Sequence, residues 1–153
     1  MAIFQLLYRS EPTAVVTAET LEQIATVAQR QNEACGVTGF LLYRNQRFIQ
    51  LLEGEHQAVT AIMTKIRSDR RHQNIQLLFA EDGRDRVCTG WHMRVVDPFQ
   101  DTETAGKLES FVNQFLAPEF HIPAAEAQDF LSDIRMQLAW APFIRTHQLA
   151  SPP

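Results

Sequence analysis

The chain has 153 residues, 45% of them hydrophobic and 21% charged, which is the composition of one ordinary globular domain. Its formal net charge of −4 argues against a general nucleic-acid-binding protein, and its two cysteines give neither a disulfide framework nor a zinc-ligand spacing. No run approaches the ~20 apolar residues that span a bilayer and no signal peptide is recognisable, so we expect a cytoplasmic protein without a membrane partner.

The acidic excess is concentrated near the C-terminus. Residues 1–99 are balanced, with 11 basic and 11 acidic side chains, whereas the remainder carries 3 and 7 and supplies the whole net charge. The Asp97-Pro98 pair lies close to this change, and such pairs are typical of module boundaries. We therefore predict one domain over residues 1–97 and a helical extension over residues 98–153.

Hydrophobic periodicity predicts five strands separated by two helices. The strands cover residues 2–8, 37–43, 47–53, 74–80 and 88–96. The segment over residues 9–17 contains Ser, Pro and Thr and is predicted to be a loop that ends in Thr17, a helix cap. Gly36 ends the first helix, and the second helix begins at Glu55 after Gly54 ends the third strand.

The order βαββαββ indicates an α+β fold, the ferredoxin-like βαββαβ arrangement with an extra fifth strand. Two helices cover one face of its sheet. The opposite face is also apolar, and the side chains expected there are Ile3, Leu7, Leu41, Ile49 and Leu51. We predict that two further helices, over residues 104–116 and 125–138, cover this second face, or that it forms a subunit interface.

Polar side chains lie among apolar ones on the face under the first two helices. The two-residue period of the third strand places Gln50 there, between Phe48 and Leu52. The same period adds three further side chains, those of Tyr8, Trp91 and Met93. A phenol, an amide, an indole and a thioether in one apolar site favour a polar, planar ligand between them. For Gln50 alone, an amide satisfied by the backbone or by solvent is the alternative.

Several dispersed motifs occur in one order along residues 3–96. They are Tyr8-Arg9-Ser10, Asn32, GVTGFLLY (residues 36–43), FIQLLEG (residues 48–54), DRRH (residues 69–72) and the W-x-M of Trp91 and Met93. In this combination the chain resembles the BLUF family of flavin-binding blue-light sensors. The resemblance implies a non-covalently bound FAD between the two helices, and it implies a photosensory protein rather than an enzyme.

The resemblance also implies which residues hold the flavin. Ile24 and Ile66 match the aliphatic pair on either side of the ring, and Asn32 matches the amide that pairs with its pyrimidine edge. Three further residues match positions near the ribityl and phosphate end, namely Lys65, Asp69 and His72. From the residues alone, core packing explains the isoleucines, a helix C-cap explains the asparagine and a solvated helix end explains the basic run. Gln31 departs from the family, in which Asn or His is common at this position.

By the same resemblance, Tyr8 reduces the excited flavin, and Gln50 exchanges its hydrogen bonds by rotation or tautomerisation. Trp91 and Met93 on the fifth strand are then signalling residues, and simple core packing is the alternative for both. We expect residues 98–145 to pass the state to a downstream partner protein, or to change self-association as a dimer or larger homo-oligomer.

Two other classes of function stay open. A small flavin reductase or an acylphosphatase-like hydrolase could use the same fold. The sequence shows no Cys/His or Ser/His/Asp arrangement, however, and Glu53 and Glu55 on either side of Gly54 are interpreted as caps. A ligand-free interaction module, including an RNA-binding sheet, is the other class, and the net charge argues against it. A yellow protein whose spectrum shifts under blue light and recovers in darkness would be a sensor.

Overall fold

A computed structural model of the chain describes residues 2–96, 122–139 and 143–144. Its strands are β1 (Ile3–Pro12), β2 (Thr38–Arg44), β3 (Arg47–Gly54), β4 (His72–Gly83) and β5 (Arg94–Val95). Its helices are α1 (Ala18–Cys35), α2 (His56–Ser68) and α3 (Ala127–Leu138), the last preceded by a 3₁₀ turn, Ala124–Glu126. Within these described ranges, no helix combines the length and the apolar character needed to span a membrane.

The ends of α1 and the β2–β3 hairpin follow the predicted signals. The Thr17 hydroxyl accepts a hydrogen bond from the Thr20 backbone N–H at 3.1 Å and so caps α1. Gly36 ends the helix at φ +69°, a left-handed conformation that glycine adopts without strain. Asn45 and Gln46, both at positive φ, form the two-residue turn between β2 and β3.

The sheet has the strand order β4-β1-β3-β2-β5. Neighbouring strands are antiparallel except β2 and β5, which are parallel. This is the ferredoxin-like arrangement with a fifth strand, so the predicted fold class is confirmed. The register places Gln50 of β3 between Tyr8 of β1 and Leu41 of β2, and these three side chains therefore share one face.

The strand β4 covers His72–Gly83 instead of residues 74–80, and the strand β1 is also longer than predicted. β1 continues through Pro12, across residues that we expected to form a loop. Both neighbouring strands pair with this end of β1, since Ser10 lies opposite Phe48 and Pro12 lies opposite His72. The backbone hydrogen bonds of this segment are therefore made within the sheet, which explains why turn-forming residue types did not end the strand.

The strand β5 is shorter than the predicted strand over residues 88–96. Gly90 has φ +81°, and the Trp91 backbone N–H donates to the Cys88 carbonyl at 2.9 Å. This turn redirects the chain, so regular pairing with β2 begins only at Arg94. The two-residue alternation that we assumed for this segment is interrupted there.

The sheet has an apolar core on each face. The helix-side core lies under α1 and α2 and includes Leu6, Leu21, Leu41, Leu52, Val59 and Met63. The opposite core includes Leu7, Ile49, Leu51, Leu131, Ile134 and Leu138. Leu41 thus lies on the other face from the one we expected, because it is the β2 neighbour of Gln50. The helix α3 supplies Leu131, Ile134 and Leu138 to the opposite core, and it covers this face as predicted. The predicted helix over residues 104–116 lies outside the described residues.

Candidate functional site

A cavity of about 420 Å³ lies between the two helices α1 and α2 and the sheet. Its walls include aliphatic side chains of both helices, namely Ile24, Val27, Ala28, Ile62 and Ile66. Its floor is formed by side chains of the three central strands, namely Tyr8, Leu41, Phe48 and Gln50. An apolar cavity of this size with a few polar groups is typical of a cofactor or small-molecule site.

Tyr8, Gln50 and Met93 form one chain of contacts below the cavity. The Tyr8 hydroxyl donates a hydrogen bond to Gln50 Oε1, and Gln50 Nε2 lies 3.7 Å from Met93 Sδ. The three residues are 3%, 6% and 1% exposed, so solvent does not compete for these contacts. The structure therefore brings together three of the four side chains that strand periodicity predicted on this face.

The environment of Tyr8 keeps its phenol neutral. Burial raises the pKa of Tyr8 well above its ordinary value of 10.0, and the negative charge of Asp69 raises this pKa further. A neutral phenol retains its O–H, and that O–H is the group which donates to Gln50.

The raised pKa of Tyr8 predicts a loss of stability in alkali. The unfolded chain releases the phenol proton near pH 10 whereas the folded chain retains it, so the stabilisation is complete below pH 10 and is lost as the pH rises. We expect Tyr8 to contribute a fall in the free energy of unfolding of about 1.4 kcal/mol per pH unit above pH 10. Urea unfolding between pH 8 and pH 11 measures it.

The matched control for this experiment is the second tyrosine of the chain, Tyr43, which is half-buried and outside the chain of contacts. Tyr8→Phe should remove the alkaline fall that Tyr8 contributes, and Tyr43→Phe should keep it. A Tyr8→Phe protein whose stability falls as steeply as that of the parent would contradict the assignment.

Trp91 does not share a face with Met93, and the prediction that it does is wrong. Met93 belongs to the helix-side core, whereas Trp91 packs against the opposite core. Its ring lies 5.3 Å from that of Phe143, and the Arg94 guanidinium lies 4.5 Å from the indole centroid. The cause lies between the two residues, since residues 91–93 do not form a regular strand and the chain bends at residue 92.

Asn32 lies near the C-terminal end of α1 and is 2% exposed. Its side-chain Nδ2 donates to the His92 carbonyl at 2.6 Å, and the residue lines the cavity. The helix C-cap is Gly36, so the side chain of Asn32 is not used for capping. It connects α1 to the segment that leads into β5.

The end of α2 contributes charged side chains to the cavity. Lys65 and Asp69 line it, and Arg71 lines it as well, although sequence reasoning set that residue aside. The contacts of Lys65 and Asp69 with a cofactor stay predictions. The Arg71 guanidinium donates to both carboxylate oxygens of Asp69, and this pairing holds the pKa of Asp69 below its ordinary value. The loop of residues 13–16 also lines the cavity and was missed, and its position between two elements that flank the site is the signal that could have found it.

His72 lines the cavity, but both of its ring nitrogens are engaged by protein atoms. Nε2 lies 2.7 Å from the Ile66 carbonyl and Nδ1 lies 2.8 Å from the Ser10 hydroxyl. A carbonyl oxygen only accepts, so Nε2 carries a proton and donates to Ile66. The ring therefore fastens the end of α2 to β1, and its direct contact with a cofactor stays a prediction.

Glu53 is fully buried, and its interpretation as a cap is wrong. Its carboxylate accepts hydrogen bonds from four groups: Gln5 Nε2, Thr38 Oγ1 and the backbone N–H groups of Val87 and Cys88. Glu53 thus fixes the start of the β4–β5 segment. Glu55 is the N-cap residue of α2 and makes no capping hydrogen bond through its side chain.

Two further observations bear on an enzyme with a nucleophile or a metal. Burial, with a smaller effect of Glu53, raises the pKa of the Cys88 thiol, so this side chain stays protonated and unreactive. Within residues 2–96, 122–139 and 143–144, no three His, Cys, Asp or Glu side chains come close enough together to bind a metal ion.

The flavin that the sequence resemblance implies fits this cavity. A flat ring system matches the aliphatic walls that Ile24 and Ile66 supply from opposite helices. The edge of a flavin ring carries both N–H and carbonyl groups, and the buried amides of Asn32 and Gln50 offer donors and acceptors at the cavity. The contacts of these residues with a flavin stay predictions.

Comparison with known proteins gives one consistent result. The family model described as sensors of blue light using FAD, BLUF, matches residues 3–94. The blue light- and temperature-regulated antirepressor BluF of Escherichia coli (strain K12) is 32% identical, over 84% of this chain and 38% of that protein. The photoactivated adenylate cyclase subunit alpha of Euglena gracilis is 28% identical, over 80% of this chain and 12% of that protein. The solved structure titled BlsA ground state is 25% identical, with a TM-score of 0.74 and 95% of both chains covered.

The chain is much shorter than the two curated relatives, since the matches cover only 38% and 12% of their lengths. By contrast, the match to the BlsA structure extends over 95% of that chain. What the longer relatives do through their remaining parts does not transfer to this chain.

Proposed function

We propose, from the premise that this chain belongs to the BLUF family of sensors of blue light using FAD, that its response to light begins at Tyr8 and Gln50. One observation supports this most directly. The Tyr8 hydroxyl, both ends of the Gln50 amide and the Met93 thioether form a continuous chain of contacts under the cavity. The family match over residues 3–94 includes all three residues.

The cavity is the flavin site, and FAD is the flavin that we assign to it. When bound, the flavin supplies a ring that absorbs blue light and accepts an electron once excited. Ile24 and Ile66 hold its two faces, Asn32 pairs with its pyrimidine edge, and the exposed Lys65 supplies positive charge near the phosphates. Asp69 and His72 act beside Lys65, as part of the wall at the end of α2.

The chemistry within the protein is a reversible proton and electron loss at Tyr8. The phenol O–H points at Gln50 Oε1, so a proton released on oxidation passes to the amide oxygen. The two ends of a carboxamide differ, one being an acceptor and the other a donor. Rotation or tautomerisation therefore reverses the hydrogen-bonding direction of Gln50 without moving its backbone. Electron and proton then return to Tyr8, and only the hydrogen bonds differ.

The output passes through β5 to the C-terminal extension. Met93 touches Gln50 on one face of the sheet, and Trp91 packs on the other face, against Phe143. The helix α3 closes that second face. We assign residues 1–97 to the sensing domain and residues 98–153 to an extension that signals to a partner protein or changes self-association. In this assignment the chain is a cytoplasmic receptor without enzymatic activity of its own.

The test is spectroscopic. The purified protein is incubated with FAD, separated from free flavin and illuminated with blue light. We expect a small red shift of the flavin absorption that reverses in darkness, because the oxidised ring returns with stronger hydrogen bonding. Sedimentation of the same sample in light and in darkness measures any change of self-association. FMN, which lacks the adenylate half, is the control for the identity of the flavin.

Two results would contradict the proposal. Persistent bleaching of the flavin in the presence of a reductant would indicate a flavin reductase. A protein that stays colourless after incubation with FAD would indicate a ligand-free interaction module.

A further inference from the structure

Two amide side chains of α1 hold consecutive carbonyls of the segment that leads into β5. Gln29 Nε2 donates to the Met93 carbonyl at 2.8 Å, and Asn32 Nδ2 donates to the His92 carbonyl at 2.6 Å. Residues three apart on a helix lie on the same face, so both amides reach the same stretch of backbone. Asn32 belongs to the proposed flavin site, whereas Gln29 does not line the cavity.

The Met93 and Val95 carbonyls accept hydrogen bonds from different parts of the chain. The Val95 carbonyl accepts a hydrogen bond from the Ile144 backbone N–H at 2.8 Å. The Met93 carbonyl lies two residues earlier, before the regular pairing of β5 with β2 begins at Arg94. At that position the acceptor is satisfied by Gln29 instead of by a backbone N–H.

The side chain and the main chain of Met93 are therefore held by two different elements, β3 and α1. Its side chain contacts the Gln50 amide, and its main chain is bonded to α1 through Gln29. The hydrogen bond from Gln29 stabilises the observed position of the Met93 main chain relative to any position in which that bond is broken. Removing the bond should allow β5 to move whatever the state of Gln50.

We infer that Gln29 is a positioning residue of the light response, which holds the Met93 main chain so that β5 follows the state of Gln50. This role rests on the proposed function. Gln29 does not line the cavity, and the contact that carries this role is its hydrogen bond to the backbone of Met93.

The experiment uses the full chain loaded with FAD and compares two variants. Gln29→Met keeps the length of the side chain but removes the hydrogen-bond donor, and Gln29→Lys restores an N–H donor. Flavin absorption reports the state of Gln50, and hydrogen exchange of the amides of residues 91–96 reports the position of β5. For Gln29→Met we expect the full red shift, several-fold faster exchange of these amides in darkness and several-fold slower dark recovery. Gln29→Lys should recover part of the difference.

The matched control is Gln23→Met, since Gln23 is an exposed glutamine of the same helix. It should leave exchange and recovery at parent values, and unchanged exchange in β1 and β3 should show that each variant is folded. Exchange and recovery in Gln29→Met equal to those of the parent would overturn the inference, and so would a Gln29→Lys protein as impaired as Gln29→Met. A parent without any light-induced shift would instead contradict the proposed function, and the dark exchange comparison would then still decide whether Gln29 holds the Met93 main chain.

Discussion

Replacing Gln50 with leucine should abolish the light-induced shift of the flavin spectrum while leaving the flavin bound. Leucine has a similar volume and keeps the floor of the cavity apolar, so the site is preserved. It has neither a donor nor an acceptor, and no rearrangement of its side chain can alter the hydrogen bonds of the ring. The Tyr8 hydroxyl loses its acceptor, at a cost to stability of about 1–3 kcal/mol if it stays unpaired.

The measurement is the difference spectrum between light and darkness, normalised to the flavin content of each preparation. Gln57→Leu is the matched control, because Gln57 is an exposed glutamine of α2 and should keep the full shift. A Gln50→Leu protein that shifts and recovers like the parent would show that the amide is not the switching group. A Gln50→Leu protein that retains its flavin but shows no spectral shift would show that flavin binding and switching depend on different groups. The cavity geometry supports this division of roles.

The face on which Gln50 lies was predictable because β3 is regular. Its residues alternate without a bulge between two antiparallel neighbours, so a two-residue period places each side chain correctly. The same reasoning placed Tyr8 correctly on the adjacent strand. It was wrong for Trp91, because residues 91–93 bend at residue 92 and precede the regular pairing of β5 with β2, so alternation does not hold there. Periodicity is informative only where the backbone makes continuous ladder hydrogen bonds.

Other features depend on contacts between residues far apart in the chain. β1 continues through Pro12 because β3 pairs with it as far as Ser10 and β4 as far as Pro12, which no local signal in residues 9–12 indicates. The role of Gln29 depends on a carbonyl 64 positions later. From local sequence, an exposed helical glutamine and one that holds a strand are indistinguishable. The resemblance to a family implies the ligand, whereas these long-range contacts are visible only in the structure.

Glu53 is the clearest example of a residue that local sequence misassigned, and its removal should have the largest effect on stability. Glu53→Ala leaves four buried or part-buried donors without their acceptor, two of them backbone N–H groups at Val87 and Cys88. Each unsatisfied buried donor costs about 1–3 kcal/mol, and relaxation and water entry offset part of the sum. We expect the free energy of unfolding to fall by about 3–5 kcal/mol, the lower part of the summed cost of four unsatisfied donors.

Urea unfolding followed by tryptophan fluorescence measures the change, and two variants calibrate it. Glu53→Gln keeps the shape and one acceptor oxygen, so it should lose about half as much as Glu53→Ala. Glu55→Ala removes an exposed carboxylate that makes no capping hydrogen bond, and it should change stability by less than about 0.5 kcal/mol. A loss below about 1 kcal/mol for Glu53→Ala would mean that solvent replaces the carboxylate. Because Val87 and Cys88 belong to the segment that carries Trp91 and Met93, Glu53→Ala should also loosen the chain that leads into β5, upstream of the Met93 carbonyl that Gln29 holds.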